Sequence, residues 1–330
     1  MTSNAFRFDP PATTGLLLLN LGTPDSPSVP DVRRYLAEFL SDPRIVEIPA
    51  LAWQLVLHGV ILRTRPKKSA KAYQSVWDEN GSPLLYLSER LLAALPDDIP
   101  VALGMRYGNP SIETALDRLR GLNAQRILVL PMYPQYSATT TASTFDAIAR
   151  VLAKWRWIPE LRFINQYHEH PAYITALADS IQNWQQRHGK PERLLMSFHG
   201  IPRDYAKAGD PYPEQCRMTA HLLAGKLGLN DNAWQLGFQS RFGPREWLKP
   251  YTSEILKAWG KKGIEYVQVV CPGFSIDCLE TREEIAVENR DYFLEAGGKR
   301  YAYIPALNDS PGQLALVESL WRQHTLDWEQ

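Results

Sequence analysis

The chain has 330 residues, of which 45% are hydrophobic, and its 36 basic and 36 acidic side chains give a net charge of zero. This length and apolar content predict a globular protein of two domains with substantial cores. A neutral chain offers no basic surface for a polyanion, which argues against a nucleic-acid partner. The amino-terminal residues show no signal-peptide pattern and three cysteines make no disulfide framework, so we expect a cytoplasmic protein.

Short apolar runs alternate along the chain with longer segments of helical period. Eight runs are predicted as strands: residues 15–22, 101–108, 126–134, 160–167, 193–200, 233–240, 266–273 and 300–307. Helices are predicted between most of them, among them 28–41, 139–155, 310–323 and one that starts at Pro110 with Asn109 as its N-cap. Continuous apolar strands joined by helices are typical of parallel sheets that are covered on both faces.

The pattern therefore predicts an α/β protein with two Rossmann-like domains, each a doubly wound sheet of four parallel strands. Domain 1 is assigned to residues 1–155, completed by a C-terminal helix in 308–330, and domain 2 to residues 156–307. Ligands of such folds bind beyond the carboxyl ends of the strands. No strand is followed by a G-x-G-x-x-G or P-loop sequence, so a nucleotide cofactor is not expected.

An apolar tract in domain 1, residues 48–62, has two interpretations. It contains no formal charge and is followed by Arg63, Arg65, Lys67 and Lys68. The tract is too short to span a bilayer. It forms either a partly buried helix or an apolar lip that rests on a membrane interface with its cations beside it.

The predicted strand 193–200 carries His199 at its carboxyl end, followed by Gly200, Ile201 and Pro202. A histidine at the end of a buried strand faces the region where ligands bind in this fold. The other six histidines fall on predicted helices or solvated loops. His199 is therefore the candidate functional histidine.

An acidic helix is predicted after the strand 266–273, beginning near Asp277. Glu280, Glu284 and Glu288 recur on it at intervals of four residues, so they share one face. Like charges at this spacing destabilise a surface helix slightly, which favours a functional role for the glutamates. The alternative is an ordinary solvated face, since glutamates are favoured near a helix N-terminus. A histidine with a nearby carboxylate provides ligands for a borderline divalent metal and acceptors for protons, whereas the four close ligands of a structural zinc site are missing.

Eight segments between about residue 15 and residue 310 stand out as motifs: LLLLNLGTPDSP, GSPL (81–84), MRYG (105–108), YPQYSATTTAS (133–143), SFHGIP, GDPYP (209–213), FQSRFGPREWLKP (238–250) and CPGFSIDCLETREE. In this order they resemble motifs of the ferrochelatases. The resemblance implies that the two domains flank a porphyrin cleft. It also implies that the protein is a lyase that inserts ferrous iron into protoporphyrin IX and releases two protons, the last step of haem synthesis.

The resemblance also assigns residues to roles. His199 matches the active-site histidine and Glu280 the glutamate across the cleft, and which of them binds metal and which accepts a proton stays open. Glu284 and Asp277 belong to an acidic path that relays protons or metal. The implied porphyrin contacts are Arg63, Ser82, Arg106, Tyr107, Tyr136, Ser137 and Trp247.

Cofactor expectations follow from the cysteines. Cys216, Cys271 and Cys278 leave a four-cysteine iron–sulfur cluster one ligand short. Some ferrochelatases have a histidine where this chain has Cys278, and some carry cluster-binding cysteines in a C-terminal extension that is missing here. We therefore expect neither an iron–sulfur cluster nor another tightly bound cofactor, with Fe²⁺ acting as a substrate.

The expected partners are protoporphyrin IX, Fe²⁺, the inner face of a membrane through the apolar lip, and an upstream protoporphyrinogen oxidase. The sequence leaves three alternatives open. They are a non-catalytic porphyrin or haem carrier, a chelatase that uses coproporphyrin or another divalent metal, and a two-lobed periplasmic-type metal-binding protein. The missing signal peptide argues against the last of these.

Overall fold

The computed structural model describes residues 6–7 and 12–328, so the predicted domain ranges extend beyond it at residues 1–5, 8–11 and 329–330. Its first sheet consists of β1 (Thr13–Thr23), β2 (Val101–Gly108), β3 (Ala124–Pro131) and β4 (Glu160–Phe163), in the spatial order β2-β1-β3-β4. The second consists of β5 (Arg193–His199), β6 (Trp234–Gln239), β7 (Tyr266–Val270) and β8 (Arg300–Ile304), in the order β6-β5-β7-β8. Every strand pairing within the two sheets is parallel, which confirms the predicted α/β fold of two Rossmann-like sheets.

Both sheets have the same topology. The chain moves from the first strand of each sheet to one neighbour and then crosses to the other side for the third strand. The direction of winding therefore reverses between β1 and β3 in the first sheet and between β5 and β7 in the second. Such switch points are where ligands bind in doubly wound sheets, beyond the carboxyl ends of the strands.

Helices cover the sheets and connect the strands. The α-helices are α1 (Val29–Leu40), α2 (Ala50–Val56), α3 (Leu62–Val76), α4 (Pro83–Ala93), α5 (Ile112–Gly121), α6 (Ser143–Leu152), α7 (Pro171–His188), α8 (Arg203–Lys207), α9 (Tyr212–Leu227), α10 (Thr252–Lys261), α11 (Asn289–Glu295) and α12 (Pro311–Thr325). Within the described residues, three π-helical segments are inserted among them: π1 (Leu57–Ile61), π2 (Ala138–Ala142) and π3 (Glu280–Glu288).

The leucine run of β1 is buried on both faces of the first sheet. Leu16, Leu17, Leu18 and Leu19 of β1 are each at most 1% exposed. Successive strand residues point to opposite faces, so an uninterrupted apolar run supplies side chains to both layers of helices. Leu17 and Leu19 share one core cluster with the apolar face of α5.

The beginnings of two helices follow local hydrogen bonding. Ser28 caps α1, its hydroxyl accepting from the Asp31 N–H at 3.3 Å. The prediction that Asn109 caps a helix starting at Pro110 was wrong. The cap of α5 is Ser111, whose hydroxyl accepts from the Thr114 N–H at 3.1 Å, and the Pro110 carbonyl accepts from the Met105 N–H instead.

The chain divides into two compact units. The first comprises residues 1–132, 137–165 and 317–330, and the second residues 133–136 and 166–316. The sequence-based division lay at residues 155 and 307. The boundary is later in the structure because β4 pairs with β3, which brings residues 160–163 into the first unit.

Candidate functional site

His199 ends β5 beside the switch point of the second sheet. Its side chain is partly exposed, and its ring centroid lies 6.4 Å from that of Trp247 and 6.4 Å from that of Phe274. The Nδ1 atom is 2.6 Å from the Gly200 carbonyl oxygen. A carbonyl only accepts, so Nδ1 carries the hydrogen, and Nε2 of the neutral imidazole is left with a free lone pair.

A short hairpin-like contact supports this histidine. Residue 202 bridges Trp247 in antiparallel fashion, and the Leu248 N–H donates to the Ile201 carbonyl at 3.0 Å. A Cβ added to Gly200 would lie 3.2 Å from the Trp247 ring, so the absence of a side chain at residue 200 lets the indole approach closely. The residues that follow β5 and β6 are thereby held together next to His199.

The acidic segment after β7 is a π-helix. The Asn289 N–H donates to the Glu284 carbonyl, five residues earlier, which is the π-type bond. π-helical turns are frequent at functional sites. The segment begins with Glu280 and contains Glu284, so both predicted residues lie on this one element of the second unit.

Glu284 is held by one residue of the loop after β6. The Ser240 N–H and hydroxyl both donate to its carboxylate, at 2.7 and 2.5 Å. Ser240 has a φ of 64°, a left-handed conformation that is unusual for a side chain other than glycine and that aims both donors at the same carboxylate. Burial, together with the charges of Glu280 and Glu288, outweighs these hydrogen bonds and raises the pKa of Glu284 to about 7.

Asp277 is an anchor for the start of π3. The side chain is 2% exposed, and its carboxylate accepts from the Thr281 hydroxyl at 2.9 Å, the Tyr303 hydroxyl at 2.6 Å and the Asn308 amide at 2.9 Å. These donors come from π3, from β8 and from the segment after β8. The three hydrogen bonds fix the carboxylate at the start of π3, the segment that begins with Glu280.

Arg106 and Tyr107 lie in a buried network of the first unit. Arg106 forms an ion pair with Asp42, and the Tyr107 hydroxyl donates to the same carboxylate at 2.8 Å. Ser143, at the start of α6, donates to Asp42 at 2.5 Å and accepts from Arg106 at 2.6 Å. Tyr107 is 0% exposed and Arg106 8% exposed, so the structure buries both predicted porphyrin contacts in this network.

The other predicted porphyrin contacts divide by exposure. Ser82 and Ser137 are buried and hydrogen-bonded to Thr23 and Thr139. Tyr136 and Trp247 are partly exposed and Arg63 is exposed. In the second unit, the structure thus brings Trp247 close to His199. In the first unit it buries Ser82 and Ser137.

Three further residues were missed by the sequence reading. Phe274 lies beside His199, Ser240 holds Glu284, and Asp42 pairs with Arg106. Phe274 and Ser240 stand inside the motifs quoted for the family resemblance, which could have drawn attention to them. No local signal identifies the role of Asp42, because the side chains it contacts in this network are 64 to 101 residues away along the chain.

Two features are absent from the described part of the chain. No group of three or more His, Cys, Asp or Glu side chains within it is arranged to hold a metal ion. No helix in residues 12–328 has both the length and the apolar character that a bilayer crossing requires.

The fold is that of the chelatases. The chain resembles the solved structure of SirB from Bacillus subtilis with Fe³⁺, with a TM-score of 0.55 at 12% identity, covering 96% of this chain and 98% of that one. It also resembles the sirohydrochlorin chelatase SirB from Bacillus subtilis subspecies spizizenii in complex with cobalt, with a TM-score of 0.53 at 12% identity over 96% and 98% of the two chains. At this identity the likeness concerns the fold alone.

Sequence comparison identifies the family. The Ferrochelatase family model matches residues 13–325. The Ferrochelatase of Nitrosococcus oceani is 54% identical over 98% of this chain and 90% of its own length, and Ferrochelatase 1 of Shewanella oneidensis is 52% identical over 97% and 98%. The chain belongs to the ferrochelatase family, as the resemblance predicted. It is therefore a chelatase whose substrates are a porphyrin and iron.

Proposed function

We propose that this protein inserts ferrous iron into protoporphyrin IX, acting as a protohaem ferro-lyase in the terminal step of haem biosynthesis. The observation that carries the proposal is His199, partly exposed at the switch point of the second sheet between the rings of Trp247 and Phe274. Free-base porphyrin loses two pyrrole protons as Fe²⁺ enters the ring, so the reaction requires a proton acceptor and a weak site for the incoming metal.

The tautomer of His199 supports its part in this exchange. Since Nδ1–H is committed to the Gly200 carbonyl, Nε2 is the nitrogen that can accept a pyrrole proton or bind the metal. The rings of Trp247 and Phe274 next to it suit a flat, apolar macrocycle. His199 is in the same unit as the acidic residues of π3.

Glu280 and Glu284 are proposed to carry protons or metal to and from this histidine. Glu280 starts π3, and its charge contributes to the raised pKa of Glu284. A carboxyl group with a pKa of about 7 exchanges protons readily near neutral pH. Asp277 is proposed to orient π3 rather than to act as a relay.

We further propose that the apolar lip contacts the membrane at its inner face, where porphyrin from an oxidase would be available. Leu51 and Leu55 of α2 are 88% and 77% exposed, and Val60 of π1 is 55% exposed. Arg63, Lys67 and Lys68 follow with exposed side chains, a composition suited to an anionic bilayer surface.

The protein is proposed to work without an iron–sulfur cluster or another resident cofactor. Cys216, Cys271 and Cys278 are all buried, and burial raises the pKa of each thiol well above its ordinary value. Cluster ligands are thiolates, which such surroundings disfavour.

The test is anaerobic turnover of protoporphyrin IX and Fe²⁺, followed by porphyrin fluorescence and haem absorbance. Replacing His199 with alanine is expected to lower the rate about 100-fold or more, as for loss of a general base, while metal-free porphyrin still binds. His188→Ala, on the exposed end of α7, is the matched control and should leave the rate unchanged.

Two results would contradict the proposed function and identify another one. Porphyrin that binds the native protein but is never metallated, with or without His199, would identify a carrier. Faster metallation of coproporphyrin III than of protoporphyrin IX, or faster insertion of Co²⁺ than of Fe²⁺, would identify a chelatase with another substrate.

A further inference from the structure

A cationic loop follows β6 in the second unit, and we call residues 241–247 the rim loop. Arg241, Phe242 and Arg245 are exposed on it, and Phe242 retains 54% of its surface. A phenylalanine this exposed between two arginines is a poor choice for a surface that meets only water. The combination suits a ligand that is both apolar and anionic.

The rim loop is held in place by its own contacts. The Trp247 indole N–H donates to the Phe242 carbonyl at 2.7 Å and closes the loop. The Arg203 N–H donates to the Glu246 carbonyl at 2.8 Å. Since residue 203 is only four residues after His199, these bonds fix the rim loop beside the candidate catalytic histidine.

The charges of the loop are unbalanced. Among residues 12–328, Arg245 has no ion-pair partner, and Arg241 stacks over the Tyr251 ring at 4.8 Å without a carboxylate. The nearby Glu246 is already shared by Arg203 at 3.0 Å and Lys249 at 3.4 Å. Two guanidinium groups are therefore available to an anion brought by a ligand.

We propose that Arg241 and Arg245 form a carboxylate-binding site for the propionate groups of the porphyrin. A guanidinium group offers a planar pair of N–H donors that matches a carboxylate, and Phe242 and Trp247 supply apolar contact to the edge of the macrocycle. The inference rests on the proposed function for the identity of the ligand. It adds residues that select porphyrins by their acidic side chains.

The experiment combines a change in the protein with a change in the ligand. The Arg241→Gln/Arg245→Gln double variant and the native protein are titrated with metal-free deuteroporphyrin IX and with its dimethyl ester, following porphyrin fluorescence. Loss of charge-assisted hydrogen bonds is expected to weaken binding of the diacid about tenfold. Binding of the ester should change less than about twofold, because its carboxylates are blocked, and this coupling isolates the pairwise interaction.

Arg187→Gln, an exposed arginine of α7, is the matched control and should bind both ligands as the native protein does. Equal losses for diacid and ester, or no loss for either, would overturn the inference. Anionic lipid headgroups offer guanidinium groups a similar partner, so binding to phosphatidylglycerol vesicles is measured in parallel. A double variant that loses vesicle binding but keeps porphyrin binding would also overturn the inference.

The two proposals fail in different ways. If the native protein metallates protoporphyrin IX and the double variant binds the diacid normally, the rim loop inference is wrong and the proposed function stands. If the native protein shows no metallation but the diacid binds in an arginine-dependent manner, the proposed function is wrong and the carboxylate site stands.

Discussion

The raised pKa of Glu284 is the balance of two opposing influences. Ser240 donates two hydrogen bonds that favour the ionised form, whereas burial and the neighbouring glutamates favour the neutral form, and the neutral form wins. The folded state therefore retains a proton that the unfolded chain releases near pH 4.5, the ordinary pKa of a glutamate. The contribution of Glu284 to folding stability therefore falls as pH rises from about 4.5 to about 7, because only the native state binds the proton in that interval.

Replacing Glu284 with glutamine tests this linkage. The free energy of unfolding of the variant minus that of the native protein should increase between pH 4.5 and pH 7 by on the order of 2 kcal/mol. Only the native protein has the Glu284 carboxyl group, whose stabilising contribution is lost in this interval. Urea unfolding at several pH values measures the difference. Glu295→Gln, at an exposed position of α11, is the matched control for removing one carboxyl group. A flat profile for the Glu284 variant would contradict the raised pKa.

The Arg106 network leads to a prediction about Asp42. Asp42→Asn should lower the free energy of unfolding by about 3 kcal/mol, because it leaves the buried Arg106 guanidinium without its counter-charge. Tyr107→Phe removes the hydroxyl that contacts Asp42 and Ser143 and should cost about 1 kcal/mol. Urea unfolding measures both.

Asp25→Asn is the surface control for this network. Its pair with Arg34 is largely exposed, so a change of less than about 1 kcal/mol is expected. Equal effects of the Asp25 and Asp42 substitutions would show that burial does not govern the Arg106 ion pair.

At the level of elements, the apolar lip shows how one stretch of chain serves two environments. Leu57 and Leu62 are buried, whereas Leu51 and Leu55 project from α2, none of whose residues is buried. Neither a purely buried helix nor a purely exposed one describes the tract.

Introducing charge on its exposed face should therefore spare folding. Leu51→Glu/Leu55→Glu is expected to change the free energy of unfolding by less than about 0.5 kcal/mol, as for other exposed positions. The same double variant should bind anionic vesicles and take up porphyrin more weakly, which flotation and fluorescence assays detect. Leu57→Glu should unfold the protein, and Leu122→Glu, exposed elsewhere in the first unit, should alter neither property. Unchanged vesicle binding by the double variant would argue against the membrane contact.

Residue spacing did not predict the π-helical segments. All three fall in stretches that the sequence singled out: the apolar tract, the 133–143 motif and the acidic helix. Nothing in residue spacing separates an i→i+5 turn from an i→i+4 turn, since glutamates four apart share a face in either. The helix predicted over 139–155 begins in the structure with π2 and continues as α6.

At the scale of the whole molecule, the first unit is completed by the C-terminal residues. Arg162 of β4 stacks over the Trp328 ring at 4.2 Å, and the Trp328 indole N–H donates to Glu160 at 2.7 Å. Arg126 of β3 donates to the Trp328 carbonyl. Residues separated by more than 160 positions thus anchor the chain end to the two strands at one edge of the first sheet.

Trp328→Ala should destabilise the first unit by about 3 kcal/mol, since the indole is 6% exposed and loses both packing and a hydrogen bond. Hydrogen exchange should report weaker protection of β3 and β4 amides, with β5 and β7 unchanged. Leu326→Ala, two residues earlier and 65% exposed, is the control and should have little effect. Unchanged protection of β3 and β4 would show that the C-terminal contacts do not stabilise this unit.

The sequence by itself determined the α/β class, all eight strands, the family and the position of His199 at a strand end. These properties depend on local patterns, namely continuous apolar runs, helical periodicity and motif residues close together in the chain. Its errors are local as well: several predicted strands ran past their ends, because apolar residues continue into the loops after β4, β7 and β8.

Only the tertiary structure decided what the polar residues do. The burial of Arg106 and Tyr107 with Asp42, the anchoring of π3 by Asp277 and the grip of Ser240 on Glu284 all join residues from distant parts of the chain. Hydrogen bonds, burial and pKa depend on which groups meet in space, and spacing along the chain carries no information about such meetings.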